Sequence, residues 1–208
     1  PISILQTRIE NILQTRKLPQ EASEKLVESL NTVSRLTRTI KALLLISKIE
    51  NEQYLKNEQV SLVELAKEVI SEIEERLTEK NILIEEKWKD DFVFGPANRS
   101  LLFTMIFNLI SNAIKYNIKN GKIIIQGEKL SDKYYLKIID TGIGMEPGQL
   151  NHIFDRFKRL EKNGSEGYGL GLPIVKKIVE FHKINVDVSS TAGTGSEFKL
   201  IFSINSSA

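Results

Sequence analysis

All twelve glycines, all nine phenylalanines and the single tryptophan of this 208-residue chain lie beyond residue 56. The stretch before them keeps residues a helix tolerates, with apolar positions at helical spacing, so the two parts cannot share one architecture. Ile2, Leu5, Ile9 and Ile12 recur at +3, +4 and +3. Pro19 breaks this pattern, because proline cannot continue a helix interior. A second stripe runs on through Leu26, Leu30, Val33, Leu36, Ile40, Leu43 and Leu44. Residues 1–56 therefore predict an antiparallel helical hairpin whose apolar stripe is too broad for two helices to bury. A second copy completing a four-helix bundle is the simplest cover. Packing on the chain's own remainder is the alternative.

From residue 57 the texture is mixed. Ser61 with Glu64 three residues on is a capping box, predicting a helix to about residue 79. Strand-like runs come next at residues 82–84 and 92–94, then a long helical pattern over 97–117. Residues 122–128 and 134–140 read as a hairpin around Ser131-Asp132, and a glycine-rich region leads to a helix over 172–182. Strands at 184–189 and 197–204 complete an α+β two-layer sandwich.

Several functions are excluded at once. Lys and Arg number 29 against 27 Asp and Glu, so there is no electrostatic footprint for nucleic acid. The chain has no cysteine and two histidines, which removes disulfides, thiolate metal sites and histidine cages. The longest apolar runs, such as residues 43–46, fall far short of the roughly 18–20 residues of a membrane span. The chain opens on Pro1 with no signal peptide, as a piece of a longer protein would.

Three segments carry chemistry. On the 97–117 helix, Asn108, Asn112 and Lys115 fall within an arc of about 60°. They lie along the edge of the stripe formed by Leu102, Ile106, Leu109 and Ala113. Amide oxygens and an ammonium at this spacing suit Mg²⁺ and phosphate, since Mg²⁺ takes few protein oxygens alongside phosphate oxygens. A solvated edge on a core helix is the plainer reading. Asp140 shares a strand face with Ile138 and Leu136, which turns its carboxylate toward the apolar layer. An adenine amine would supply the donor that a buried carboxylate needs, and Gly142 and Gly144 let a flat base approach the backbone. A capped turn at a strand end is the plainer reading of these residues alone. Third, Gly167, Gly169 and Gly171 alternate into a helix whose first turn accepts Pro173. Such a helix start presents N–H groups to phosphate. It is neither a dinucleotide fingerprint nor a P-loop.

Taken in order, these segments resemble the nucleotide-binding domain of sensor histidine kinases, in the superfamily that includes gyrase, Hsp90 and MutL. Asn108–Tyr116 is similar to the family's N box and Asp140–Gly144 to its first glycine box. Ile153–Arg159 resembles the F box, Gly167–Leu172 the second glycine box and Gly193–Phe198 the final glycine motif. The hairpin resembles the family's dimerisation and histidine-phosphotransfer helices, giving domains of 1–56 and 57–208. The resemblance implies a Bergerat-type ATP-binding sandwich with ATP and Mg²⁺ as ligands. It implies Mg²⁺ on Asn112, catalytic positions at Asn108 and Lys115, and Tyr116 flanking the nucleotide. Asp140 would take the adenine amine, with Gly142, Ile143 and Gly144 beside the base and Ser196 near Asp140. Arg156 or Arg159 would meet phosphate from a lid over residues 158–168, and Gly167, Gly169, Leu170, Gly171 and Leu172 would offer backbone N–H groups. The resemblance further implies a homodimer, a response-regulator receiver domain as partner, a cytoplasmic location, and membrane contact only through segments outside this chain.

Some positions depart from the family. Pro96 stands where an acidic cap is common, Thr104 replaces a frequent Gln, and Lys183-Ile184 stands where two glycines often come after the helix-ending His182. His152 and His182 lie outside any phosphoacceptor context and read as structural. Pro1–Ile4 resembles the segment immediately C-terminal to the phosphoacceptor motif, so the accepting histidine is expected upstream of Pro1. The hydrolysing members carry a Glu four residues before the Mg²⁺-binding Asn. Asn108 occupies that place here, and an amide takes no proton, which favours phosphotransfer over hydrolysis. A scaffold with a degenerate site is the third reading, opposed by the intact Asp140, Asn112 and glycine boxes.

Overall fold

The computed structural model describes residues 2–15, 18–158 and 169–204. It divides into two compact units, Pro1–Ser47 and Lys48–Ala208. In the first, α1 (Ile2–Thr15) and the opening part of α2 (Gln20–Glu50) run antiparallel. The Gln6 amide donates to Ser34 Oγ across the pair at 3.0 Å. Ile4, Leu5, Ile12, Val27, Leu36, Ile40 and Leu44 stay exposed, so the hairpin leaves much of its stripe to water.

The division at residue 47 comes earlier than the expected one at residue 56, and the reason is local. Glu50, in the last turn of α2, ion-pairs with Lys177 at 3.2 Å. Leu55 O accepts from Asn98 Nδ2 at 2.9 Å. Lys56 Nζ donates to Phe181 O at 3.1 Å and lies 4.8 Å from the Phe181 ring centre. Residues 48–56 thus belong to the second unit.

That unit holds a five-stranded mixed sheet, in spatial order β2 (Leu83–Trp88), β4 (Lys122–Leu130), β5 (Lys133–Asp140), β7 (Gly195–Ser203) and β6 (Asn185–Thr191). The β2–β4 pair is parallel, which requires a crossover, and the other pairs are antiparallel. A separate two-stranded sheet pairs β1 (Glu58–Ser61) with β3 (Val93–Ala97). Tyr134, Leu136 and Ile138 of β5 and Phe198, Leu200 and Phe202 of β7 are all buried on one face. Over them lie α3 (Leu62–Glu72), α5 (Arg99–Lys115) and α7 (Gly171–His182), giving two layers. The exposed strand face alternates out of the core, as period 2 demands.

Three expectations change. The helix predicted to residue 79 breaks at buried Ile73 into α3 and α4 (Glu74–Glu79), although Ile73 fits the apolar period. Residues 58–61, read only as an approach to the cap at Ser61, pair as a strand. A short α6 (Pro147–Leu150), capped by the Glu146–Gln149 box, interrupts the glycine-rich region.

His182 ends α7 inside the core. Its Nε2 accepts from Asn98 N at 3.0 Å, so the neutral ring carries its proton on Nδ1, which donates to Ile178 O at 3.0 Å. Burial, ahead of a smaller effect from Lys56, lowers its pKa. Its folded value lies below the unfolded one, so its contribution is present above about pH 6.5 and is lost as pH falls through the folded value. His182→Ala orphans the Asn98 amide and should cost about 1–3 kcal/mol in urea unfolding at pH 7.5. The gap between parent and variant should narrow at pH 5.5.

Candidate functional site

The first group sits on α5. Asn98 caps the helix by accepting from Leu101 N at 3.1 Å, the cap that Pro96 does not supply. Leu102, Ile106, Leu109 and Ala113 are buried as the spacing predicts, and Leu101, Met105, Ile110 and Ile114 join them. The helix is therefore held on two sides, and Asn108, Asn112 and Lys115 lie half-buried along its remaining edge. Asn108 Nδ2 donates to Thr104 O at 2.7 Å, which leaves Oδ1 as an acceptor on the side of Gly171. A Cβ on Gly171 would lie 2.9 Å from that Oδ1 and 3.9 Å from Asn112 Nδ2. The start of α7 thus abuts the two asparagines. Lys115 Nζ donates to Tyr116 Oη at 3.0 Å and lies 4.6 Å from its ring centre, so it is held at the same helix end.

The second group closes β5. Asp140 stands opposite Ile123 and Ser196 in the ladders and is 7% exposed. Its Oδ1 accepts from Gly142 N at 2.8 Å. Burial raises its pKa to about 6, against the lowering effect of the Gly142 and Ser196 amides. The turn after it is wedged on both sides. A Cβ on Gly142 would lie 2.2 Å from Tyr116 O. Gly144, at φ 64°, would put a Cβ 1.9 Å from Thr191 O. Ile143 N donates to Tyr116 O at 3.0 Å and Ile143 O accepts from Gly193 N at 2.7 Å. Ser190 Oγ donates to Gly195 O at 2.8 Å and lies 3.0 Å from Ser196 Oγ, extending the polar edge beside Asp140.

The third group opens α7. Gly169, at φ 64°, accepts from Phe157 N at 3.0 Å through its carbonyl. Leu170 is the N-cap and supplies no side-chain cap, so the N–H groups of Gly171 and Leu172 gain none from it. Arg156 is directed elsewhere: its Nη2 donates to Glu50 Oε1 at 3.1 Å. Arg159 and Gly167, with most of the expected lid, lie outside the described residues. His152 is exposed and pairs with Asp155 at 2.9 Å.

Among the described residues no cluster of His, Cys, Asp or Glu can hold a metal ion. A cation here would depend on amide oxygens and ligand oxygens. Asn108 Oδ1 and the neighbouring Asn112 amide, beside the start of α7, are donors of that kind.

Sequence reasoning missed Thr141, Asn117 and Ser190. Thr141 Oγ1 accepts from Lys122 N at 2.8 Å and donates to Asn117 Oδ1 at 3.3 Å, tying the α5 exit to the end of β5. These residues meet only through strand register, which leaves no local signal.

Residues 97–206 match the family described as histidine kinase-, DNA gyrase B- and HSP90-like ATPases. The chain belongs to that family. It is 32% identical to the adaptive-response sensory kinase SasA of Crocosphaera subtropica, over 95% of this chain and 54% of the relative. It thus spans about half the length of that curated relative. Among solved structures, the Acinetobacter baumannii histidine kinase AdeS superposes with a TM-score of 0.73 at 28% identity, over 99% of this chain and 95% of its own. The histidine kinase ThkA, solved in complex with the response regulator protein TrrA, shares the fold at a TM-score of 0.72 and 24% identity. That match covers 99% of this chain and 58% of ThkA. The N-terminal helices with a mixed sheet are the architecture of these kinases. No helix among the described residues is long and apolar enough to cross a membrane.

The wedge is testable by adding one methyl group. Gly142→Ala must displace the Tyr116 carbonyl and should cost about 1–3 kcal/mol in chemical denaturation. Gly148, which has nothing within 4 Å of an added Cβ, is the control, and Gly148→Ala should change stability by less than about 0.5 kcal/mol.

Proposed function

We propose that this chain is the kinase core of a two-component sensor histidine kinase. It binds ATP with Mg²⁺, and the γ-phosphoryl group passes to a histidine and then to an aspartate of a response-regulator receiver domain. The observation that carries this reading is Asp140, a buried carboxylate whose protein donors are backbone amides and which, among the described residues, has no cation beside it. A ligand donor such as the adenine amine completes its shell. Ile143, 37% exposed between Gly142 and Gly144, offers an apolar edge to the base.

The remaining roles rest on the same geometry. Asn112, with Asn108 beside it, would hold Mg²⁺, which neutralises charge between phosphate groups when bound. The first N–H groups of α7 at Gly171 and Leu172, behind Gly169 and Leu170, would take phosphate oxygens. Lys115 exchanges its bond to Tyr116 for phosphate. Arg156 would have to leave Glu50 to reach phosphate. Asn108 cannot take a proton from water, so this site favours transfer to a protein acceptor over hydrolysis. His182 is no acceptor, because both ring nitrogens are engaged inside the core.

The exposed stripe of the hairpin supports a homodimer through its N-terminal helices, placed in the cytoplasm. The domain roles are then dimerisation and phosphotransfer for the helical hairpin of the first unit and ATP binding for the second unit.

Two measurements test these points. Asp140→Asn loses a charge-assisted acceptor and should weaken ATP binding about 10–150-fold, the equivalent of about 1.5–3 kcal/mol. Parent affinity should also fall as pH drops below about 6, where Asp140 takes up its proton. Affinity unchanged by the substitution and flat across pH would remove Asp140 from the site. Replacing Leu30 and Ile40 together by Glu puts unpartnered charge into the proposed interface. Light scattering should then show monomers that still bind ATP, and persistent dimers would move the interface elsewhere.

A further inference from the structure

The break at Ile73, with φ −113° and ψ 8°, makes α4 a helix separate from α3 and brings two cations to α5. Arg76 Nη1 donates to Ser111 Oγ at 3.1 Å. One turn on, Lys80 Nζ donates to both Ile114 O and Lys115 O at 3.0 Å. The last carbonyls of an α-helix have no donors within the helix, and a cation there also meets the negative end of its dipole. Among the described residues, the partners of Lys80 are these carbonyls rather than a carboxylate. Burial first, then Arg76 and Lys115, lower its pKa.

We propose that Lys80 is a positioning residue of the nucleotide site: its ammonium fixes the last turn of α5, and with it the Tyr116 carbonyl on which the Asp140–Gly144 turn is seated. The contacts form an unbroken path. Lys80 holds Lys115 O, and Tyr116 N donates to Asn112 O at 3.0 Å. Tyr116 O in turn accepts from Ile143 N at 3.0 Å. Gly142 packs so closely on that carbonyl that an added Cβ would come within 2.2 Å of it. The same Gly142 supplies the N–H that holds Asp140 Oδ1 at 2.8 Å. Lys115 and Tyr116 ride on this turn as well. Freeing the Lys115 carbonyl lets the turn fray, and the base-side and phosphate-side groups lose their common support. The inference rests on the nucleotide-binding reading above.

Titration of a fluorescent ADP analogue, at a temperature where circular dichroism shows every variant folded, tests it. Lys80→Met keeps the aliphatic stem and removes the donors, and should weaken binding about 3–30-fold, the range of coupling carried by packed networks. Lys80→Arg, which keeps charge and donors, should restore most of the affinity. Amide resonances of Tyr116, Gly142 and Ile143 should shift in Lys80→Met, while those of Val186 and Val188 stay in place. A Lys80→Met protein that melts lower yet binds within about twofold of the parent overturns the proposal, because the role is then stability alone. Should Lys80→Met fail to fold, Lys80→Gln decides by the same titration: weakened binding supports the proposal and unchanged binding overturns it. A parent chain that binds no nucleotide, or binds it equally after Asp140→Asn, sinks the nucleotide reading itself and is told apart from a failure at Lys80.

Discussion

The second unit is organised around one unfavourable act, the burial of the Asp140 carboxylate at the end of a core strand. Removing a carboxylate from water is costly unless donors replace the lost hydration. Here the donors are the Gly142 and Ser196 backbone amides, and they leave the pKa raised to about 6. That remaining cost is what a ligand with its own donor can offset. A fully satisfied carboxylate would be inert structure, and a solvated one would carry no selectivity. The fold holds Asp140 between these limits through strand register, which sets Ile138 and Leu136 below it and Ser196 beside it.

Elements distant in sequence meet around the Asp140–Gly144 turn and along α5. The α5 exit contributes the Tyr116 carbonyl, the β6 end contributes Thr191, and the start of α7 lies against Asn108. Two of these approaches are backbone against backbone and too close for a side chain, and a glycine stands at each: Gly142 and Gly144. Gly142 and Gly144 are therefore packing devices. The uncapped start of α7 has the same origin, since Leu170 is buried in the core and offers no polar cap.

Much of this was legible in the sequence. The stripe on α5 and the inward face of Asp140 come from periods of 3.6 and 2, which are local properties. The order of the glycine segments carried the family resemblance. The features that escaped were set by distant partners. Ile73 fits a continuous helix, yet the chain breaks there at a buried residue. β1 reads as an approach to a cap because its partner, β3, lies some thirty residues on. Arg156 reads as a phosphate ligand by motif, yet Glu50, more than a hundred residues earlier, takes its guanidinium. Thr141, Asn117 and Ser190 entered the site through register alone.

The claim that the buried carboxylate selects the ligand by accepting from an amine on the base is tested most directly with two nucleotides on the unaltered chain. Calorimetric titration should be run with ATP and with inosine triphosphate, which replaces the exocyclic amine by a carbonyl and leaves the phosphates unchanged. A carbonyl facing Asp140 sets acceptor against acceptor. The account predicts that ATP binds at least about tenfold more tightly, the cost of leaving a buried acceptor unpaired. Equal affinity for the two nucleotides would contradict it.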